Sequence, residues 1–229
     1  MAKVLYGPIV SDARKKIGGV VATKGHAGNF MRKKVSPIQP RTTAQRNVRS
    51  SFSAHSKNWG TFSQTVIDGF NSLAKATPKK DRFGQTVTLT GLQLYQGLAR
   101  NIDTVTGTPL TAAPANLNAT TPGTLTVTAT SGGSPALTVT PTNYPAVGES
   151  AAIFAAAQIS AGRTFVGKQY RLLLVVPHSG SPAPYDILSA YTTKFGALVT
   201  LKKVPVLVKN INTTTGAAGQ PSAALQAAT

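Results

Sequence analysis

The first half of the chain opens with short apolar runs that are typical of β-strands. Residues 4–10 are mostly apolar, and residues 17–23 (IGGVVAT) are rich in β-branched side chains. A loop with two glycines, Gly25 and Gly28, separates them from residues 29–35 (NFMRKKV). Because glycine-containing loops of this length join antiparallel strands, we predict a β-hairpin here.

Helical periodicity follows an extended Pro-x-x-Pro segment, residues 36–40. Thr42 and Gln45 match a capping box, which predicts a helix from Thr43 to Asn58 that ends before Gly60. One stripe of this helix is apolar and predicts a core-facing side, while another is basic and predicts a solvent-facing side. The predicted core-facing residues are Val48, Phe52 and Trp59, and the polar stripe contains Arg46, Arg49, Ser53 and Lys57.

Two more helices are predicted in this half. One begins after Ser63 and stops at Pro78, and the other follows a short predicted strand, residues 85–90. Their apolar stripes are Val66, Ile67, Phe70, Leu73 and Ala74 in the first, and Leu92, Tyr95, Leu98, Ala99 and Ile102 in the second.

The second half is dominated by strand patterns. Residues 125–130 (LTVTAT) and 136–140 (ALTVT) alternate apolar side chains with Thr, and a Gly-rich turn lies between them. Further strand candidates are residues 151–158, 170–176 and 198–212, whereas residues 186–195 also fit a helix. Short strands between turn signals predict a β-sandwich.

These patterns predict an α+β chain with two domains. The first, residues 1–103, is a basic domain of a β-hairpin plus about three helices. A linker rich in Thr, Pro and Ala, residues 104–122, leads to an all-β domain, residues 123–212. The Gly/Ala-rich tail, residues 213–229, has no periodic pattern and is expected to be disordered in a free monomer.

The chain is strongly basic, with 24 Lys+Arg against 6 Asp+Glu and a formal net charge of +18. The segment from residue 14 to residue 57 contains no acidic residue. Unbalanced charge repels itself, so a segment of this kind predicts an anionic partner, with nucleic acid as the first choice. Acidic surfaces of neighbouring subunits are the alternative partner. The candidate binding residues are Arg14, Lys15, Lys16, Lys24, Arg32, Lys33, Lys34, Arg41, Arg46, Arg49 and Lys57. Phe30, beside these cations, is the candidate for stacking on a base.

Residues for catalysis are scarce. The chain has no Cys, and His26, His55 and His178 lack the spacing of metal ligands. No nucleophile elbow, P-loop or paired-carboxylate pattern is present, so we expect no enzymatic activity, no metal, no cofactor and no small-molecule substrate. Gly25 to Gly28 fits the GxxG of nucleic-acid-binding KH domains, but the strand-like flanks favour a plain hairpin turn.

Targeting signals are also missing from the pattern. The sequence has no apolar stretch of membrane-span length and no apolar core of a secretory signal near its start. We therefore expect no membrane span and synthesis in the cytoplasm.

The first hundred residues carry a recurring pattern. It consists of a Gly-containing strand pair (Gly18-Gly19, Gly28-Asn29-Phe30-Met31-Arg32), a Pro-x-x-Pro-x-Thr-x-x-Gln cap that starts at Pro37, and a helix with Arg49, Phe52 and Trp59. This pattern resembles a group of small basic proteins that phages and prophages encode. The second half looks like a fibronectin- or immunoglobulin-like domain. The resemblance implies a virion-associated protein and no particular mechanism.

Taken together, the sequence predicts a structural protein of a virus particle or filament that forms a homo-oligomer or a larger assembly. Its basic half would contact nucleic acid or neighbouring subunits, and its location would be the virion. The alternative is a free, sequence-nonspecific nucleic-acid-binding protein. The second half carries only 7 of the 24 basic residues and no motif that reads bases, which favours the structural function.

Overall fold

Two structural units follow each other along the chain, Met1–Tyr95 and Gln96–Thr229. The computed structural model describes residues 2–5, 7, 13–26, 28–35, 42–81, 83–167, 169–180 and 183–229. Helices and antiparallel sheets are both present, so the predicted α+β class is confirmed. Among the residues described, no helix combines the length and apolar character that a membrane span needs.

The first unit begins with a four-stranded antiparallel sheet. Its strands are β1 (Ala2–Lys3), β2 (Lys15–Ile17), β3 (Val20–Gly25) and β4 (Gly28–Lys33), in the spatial order β1-β4-β3-β2. The predicted hairpin is β3–β4, in which Gly25 pairs with Gly28. Because the glycine-containing loop joins two strands, it is a hairpin turn and not the loop of a KH domain.

The predicted single strand over residues 17–23 is wrong. It contains a turn at Gly18 and Gly19, which separates β2 from β3. Gly18 has φ +56°, a left-handed conformation that glycine adopts without steric cost. The Pro-x-x-Pro segment, residues 36–40, and most of the apolar run 4–10 lie outside the described residues.

Three helices follow the sheet, α1 (Thr43–Trp59), α2 (Gln64–Ala76) and α3 (Gly91–Val105). Thr42 Oγ1 accepts a hydrogen bond from Gln45 N–H at 3.4 Å, as the capping pattern predicts. Between α2 and α3 the chain forms a two-stranded ribbon of β5 (Lys79–Lys80) and β6 (Thr86–Val87), so the predicted strand 85–90 is shorter than expected.

Aromatic side chains form the core of this unit. Phe70 of α2 and Tyr95 of α3 are fully or almost fully buried. Trp59 packs against both, with ring centroids 5.7 Å from Phe70 and 5.6 Å from Tyr95. Phe62, in the loop between α1 and α2, lies 5.2 Å from Tyr95. Four rings from four chain positions thus hold the three helices together.

The predicted core stripe of α1 is only partly correct. Val48 and Phe52 are 50% and 57% exposed, and no residue of α1 is fully buried. Only the C-terminal end of the stripe reaches the aromatic cluster, through Trp59. Periodicity identifies a helix face correctly, but it does not show how far along the helix other elements cover that face.

We expect Phe70→Ala to destabilise the first unit by about 3–5 kcal/mol, because it removes a fully buried ring. The matched change Phe52→Ala should cost less than about 0.5 kcal/mol, because that ring is already exposed. Fluorescence-detected unfolding measures this unit selectively, since Trp59 is the only tryptophan of the chain. Equal losses in the two variants would contradict the exposure of Phe52.

Two antiparallel sheets make up most of the second unit. The four-stranded sheet has the order β10-β9-β12-β13, and the three-stranded sheet has the order β11-β8-β7. The strands are β7 (Leu125–Thr130), β8 (Ala136–Pro141), β9 (Glu149–Ala155), β10 (Arg171–Pro177), β11 (Tyr185–Asp186), β12 (Lys203–Asn212) and β13 (Ser222–Ala227). Helix α4 (Leu188–Phe195) occupies the segment for which the sequence left a helix open.

One hydrophobic cluster joins side chains from both sheets. Leu137 and Val139 of β8 contribute from one sheet, and Val206 and Val208 of β12 contribute from the other. Tyr191 of α4 is also fully buried in this cluster, and its hydroxyl donates a hydrogen bond to the Ala156 carbonyl at 3.1 Å. The alternation predicted for residues 125–130 and 136–140 therefore places the apolar faces of β7 and β8 correctly.

The prediction of a disordered tail is wrong. Strand β13 pairs with β12 over six residues of each strand. The terminal Thr229 N–H also donates to the Ala129 carbonyl at 3.1 Å. The small residues of β13 give a weak pattern, and their order comes from a sheet edge that lies far away in the sequence.

The segment predicted as a linker, residues 104–122, lies in the second unit along the chain. Thr108 N–H donates to the Thr213 carbonyl at 3.0 Å, and Thr120 N–H donates to Glu149 Oε1 at 2.9 Å. The function of this segment as a linker stays a prediction.

Burial raises the pKa of Tyr191 to about 12, and burial together with the neighbouring Tyr144 raises the pKa of Tyr185 to about 12. Both values lie above the ordinary 10.0, so the folded state holds these protons longer than the unfolded state does. Their contribution to stability is complete below the unfolded pKa and is lost as the pH rises through about 12. In a phenolate absorbance titration, Tyr191→Phe and Tyr185→Phe should each remove one late-titrating group. If either variant instead loses a group that titrates near 10.0, that tyrosine is not shielded as described.

Candidate nucleic-acid interface

Basic side chains project from both faces of the first unit's sheet. In β3, Val20 lies opposite Lys33, and Val21 lies opposite both Arg32 and Lys16. Residues that face each other across antiparallel strands lie on the same side of the sheet, and neighbours along a strand lie on opposite sides. Arg32 and Lys16 therefore share one face, and Lys33 lies on the other.

The second face carries more of the cations. Lys15 lies opposite Ala22, and Lys24 follows Ala22 by two residues, so both share the face of Lys33. Lys34 comes directly after β4, where its N–H donates to the Gly19 carbonyl at 2.8 Å. The register thus separates the predicted basic set of the sheet into two faces.

An open hollow of about 340 Å³ lies at the side of β3 where β2 stops pairing. Its cationic lining residues are Arg14, Lys15 and Lys24. Val21, Ala22 and Thr23 form the rest of the wall. Because three cations line this hollow, the edge of the sheet has the chemistry that binds a phosphate group.

Helix α1 adds a third basic surface. Arg46, Arg49 and Lys57 are all exposed. At about 100° per residue, the three positions fall within about 80° of one another around the helix axis. They form one stripe, in which Arg46 and Lys57 lie at least about 120° from Val48 and Phe52 around the axis, whereas Arg49 lies about 60° from Phe52.

All ten candidate residues that the structure describes are exposed, and Arg41 lies outside the described residues. The Pro-x-x-Pro segment, which would bring the sheet and helix cations near each other, also lies outside them. That approach stays a prediction.

Lys3 has a different environment from these ten residues. Its Nζ lies 2.6 Å from Asp81 Oδ2, and each side chain is less than one-fifth exposed. The hydrogen bond from Lys3 is the main cause that lowers the pKa of the Asp81 carboxyl, and the N–H groups of Phe83 and Gln85 contribute. Lys3 is thus paired within the chain, and its charge is neutralised locally.

Other acidic residues also have local partners. Asp68 accepts from Gln64 Nε2 at 2.9 Å, and Asp186 accepts from the Leu188 N–H at 3.0 Å at the start of α4. Glu149 is buried and accepts from the backbone N–H groups of Thr120 and Ala146. These carboxylates therefore accept hydrogen bonds from groups within the chain.

In the described part of the first unit, sequence reasoning left out three exposed lysines. Lys75 lies in the last turn of α2, and Lys79 and Lys80 form β5. The acid-free segment on which the prediction was based ends before Asp68, and these three positions lie beyond it. Local lysine density would have found them.

Phe30 is half-buried in β4. A Cβ atom at Gly25 would lie 3.0 Å from its ring carbon Cε1, so the ring lies close over the backbone of that glycine. Part of the ring is therefore used in the hairpin, and its stacking on a base stays a prediction.

The histidines have structural surroundings. His55 contacts Tyr95 edge-on at 6.2 Å, and His178 Nδ1 lies 2.8 Å from the Pro145 carbonyl oxygen. His26 lines a polar hollow of about 730 Å³ together with Asp68 and Lys75. Within the described part of the chain, no three residues among His, Cys, Asp and Glu are grouped as a metal site requires.

No family model, curated protein sequence or solved structure matches this chain.

Lysine acetylation should distinguish paired from exposed cations. We expect Lys3 to react several-fold more slowly than Lys24, because Lys3 donates to Asp81 at 2.6 Å and Lys24 is exposed. Asp81→Asn should remove most of this difference, which peptide mass spectrometry would measure. Equal rates in the wild-type protein would show that the pair does not persist in solution.

Proposed function

We propose that this protein is a non-enzymatic structural component of a virus particle or filament, and that its basic first unit contacts nucleic acid. The observation that carries the proposal is the exposure of all ten described cations between residues 14 and 57, a segment without one carboxylate. A polyanion would neutralise these charges, whereas water alone leaves them to repel each other.

The arrangement of the cations favours contact with phosphates. They lie on both sheet faces, at the hollow beside β3 and along α1, and they do not converge on a single pocket that could read a base. Phosphate contacts position a protein without reading sequence. Binding should therefore be nonspecific and strongly dependent on salt.

The second unit suits a packing function in such an assembly. It has two antiparallel sheets with a common core, which supports the finer proposal of an immunoglobulin- or fibronectin-like sandwich. The resemblance of the first hundred residues to phage-encoded proteins supports a location in the virion.

Charge reversal on one sheet face tests the nucleic-acid contact. The double variant Lys16→Glu with Arg32→Glu changes two cations that share a face, and Lys202→Glu with Arg171→Glu makes the same charge change in the second unit. If Lys16 and Arg32 each neutralise one phosphate, their reversal should reduce the slope of log K against log salt by about 1.8 on duplex DNA or about 1.4 on single strands.

The control pair should change the slope much less, because it lies outside the proposed interface. Equal losses in the two double variants would show that only net charge matters and would contradict an interface on the sheet. Negligible binding of the wild-type protein to DNA and RNA near physiological salt would reject the nucleic-acid contact.

Assembly is measured separately by electron microscopy and light scattering. We expect regular particles or filaments. A stable monomer at high protein concentration in moderate salt would reject the structural function and leave the alternative of a free nucleic-acid-binding protein.

A further inference from the structure

The turn between β5 and β6 presents an aromatic ring at the surface. The Gly84 N–H closes this turn by donating to the Asp81 carbonyl at 3.0 Å, and Gly84 has φ +77°. Asp81 Oδ1 also accepts from the N–H groups of Phe83 at 2.8 Å and Gln85 at 3.0 Å. Aspartate at the first position and glycine at the last are typical of β-turns. Phe83 is not a typical turn residue, and it is 54% exposed.

An ion pair connects this turn to the sheet of the first unit. Lys3 Nζ donates to Asp81 Oδ2 and to Gln85 Oε1, each at 2.6 Å. On β1, Lys3 lies opposite Phe30 of β4, so their side chains share one face of the sheet. The ion pair therefore links the turn that carries Phe83 to the sheet position next to Phe30.

Exposed cations accompany both aromatic residues. Arg32 follows Phe30 by two residues along β4, so it lies on the same sheet face, together with Lys16 of β2. In the two-stranded ribbon, Lys80 lies three residues before Phe83. All three cations are exposed, so a bound polyanion could reach them.

The ring of Phe30 depends on a glycine for its position. A Cβ atom at Gly25 would lie 3.0 Å from Phe30 Cε1, which is closer than an ordinary van der Waals contact. The missing side chain at Gly25 thus leaves room for the ring beside the backbone of the hairpin. Because Phe30 is only half-buried, part of it stays accessible from outside.

These features favour a single-stranded nucleic acid as the partner of this surface. A base can stack on a protein ring when its own face is uncovered, whereas the bases of a duplex already stack on each other. Aromatic rings among cations are typical of surfaces that bind single strands without sequence preference. A duplex could pair with the cations, but it would leave the exposed ring of Phe83 without a contact.

We propose that the first unit binds single-stranded nucleic acid across this surface, with bases stacked on Phe30 and Phe83. Lys16, Arg32 and Lys80 contact phosphates of the same strand. The proposal rests on the nucleic-acid contact of the proposed function and deepens it, because it names single strands as the ligand. Stacking tolerates any sequence, since every base has a π-face.

Binding of labelled oligothymidine to the full chain, measured by fluorescence anisotropy beside a duplex of equal length, tests the surface. We expect Phe83→Ala to weaken oligothymidine binding at least about five-fold, because it removes a stacked ring. The slope of log K against log salt should stay unchanged, since the ring displaces no counterion. Duplex binding should change little.

Phe52→Ala is the matched control. Phe52 is 57% exposed, lies in the same unit and also has cations nearby in its helix, but it is outside the proposed surface. This variant should keep both affinities near those of the wild-type protein. Circular dichroism and Trp59 fluorescence check that both variants stay folded. Equal losses of oligothymidine binding in Phe83→Ala and Phe52→Ala would overturn the proposal.

A second pair of variants tests the ring on the sheet. Phe30→Leu keeps an apolar side chain of similar size and removes the π-face. Met31→Leu is its control, because Met31 is also half-buried but lies on the opposite face of the sheet. We expect a several-fold loss of oligothymidine binding in Phe30→Leu alone. Equal binding by the two variants would overturn the stacking on Phe30.

The outcomes separate this inference from the proposed function. If the wild-type protein binds neither probe near physiological salt, the nucleic-acid contact itself is rejected. If it binds both probes and Phe83→Ala weakens both equally, only the single-strand surface is rejected. Vesicles of phosphatidylcholine and phosphatidylserine test a lipid surface as the other partner. Vesicle binding that is lost in Phe83→Ala, with oligothymidine binding unchanged, would also overturn the proposal.

Discussion

This chain has too few carboxylates to neutralise its basic side chains internally. The chain has six acidic residues and 24 basic ones. Four of the acidic residues already have partners within the chain: Asp68 in a turn of α2, Asp81 in an ion pair, Glu149 in a loop and Asp186 at the start of α4. Few carboxylates remain for neutralising further cations inside the protein. The ten described cations between residues 14 and 57 lie at the surface, where an external anionic partner can reach them.

The first unit has a small aromatic core. Trp59, Phe62 and Phe70 pack around Tyr95 and hold three helices together, and the cluster reaches only the C-terminal end of α1. The N-terminal turns of α1 therefore have an apolar face that is only partly buried and basic side chains that are exposed. The second unit contrasts with this arrangement, because two sheets bury their alternating positions in one cluster.

Local signals in the sequence predict most of the elements. The Thr42 cap, the alternation of β7 and β8, and the stripes of α2 and α3 each depend on neighbours within a few residues. The wrong predictions concern residues whose structural partners are distant in the sequence. Residues 213–229 have no local pattern, and β13 is ordered because the edge of β12 supplies its hydrogen bonds. Phe52 fits a core stripe, but its burial depends on where α2 and α3 end. The periodicity of α1 carries no information about the ends of those helices.

The exposed cations of the first unit determine how a polyanion would act on this chain. Copies with a formal charge of +18 repel each other, so every contact between copies has to overcome that repulsion. A polyanion bound to the exposed cations between residues 14 and 57 would reduce the repulsion. It would also raise the local concentration of neighbouring copies along its length, which strengthens weak contacts without new interactions. Nucleic acid would then promote assembly, and assembly would begin where nucleic acid is present.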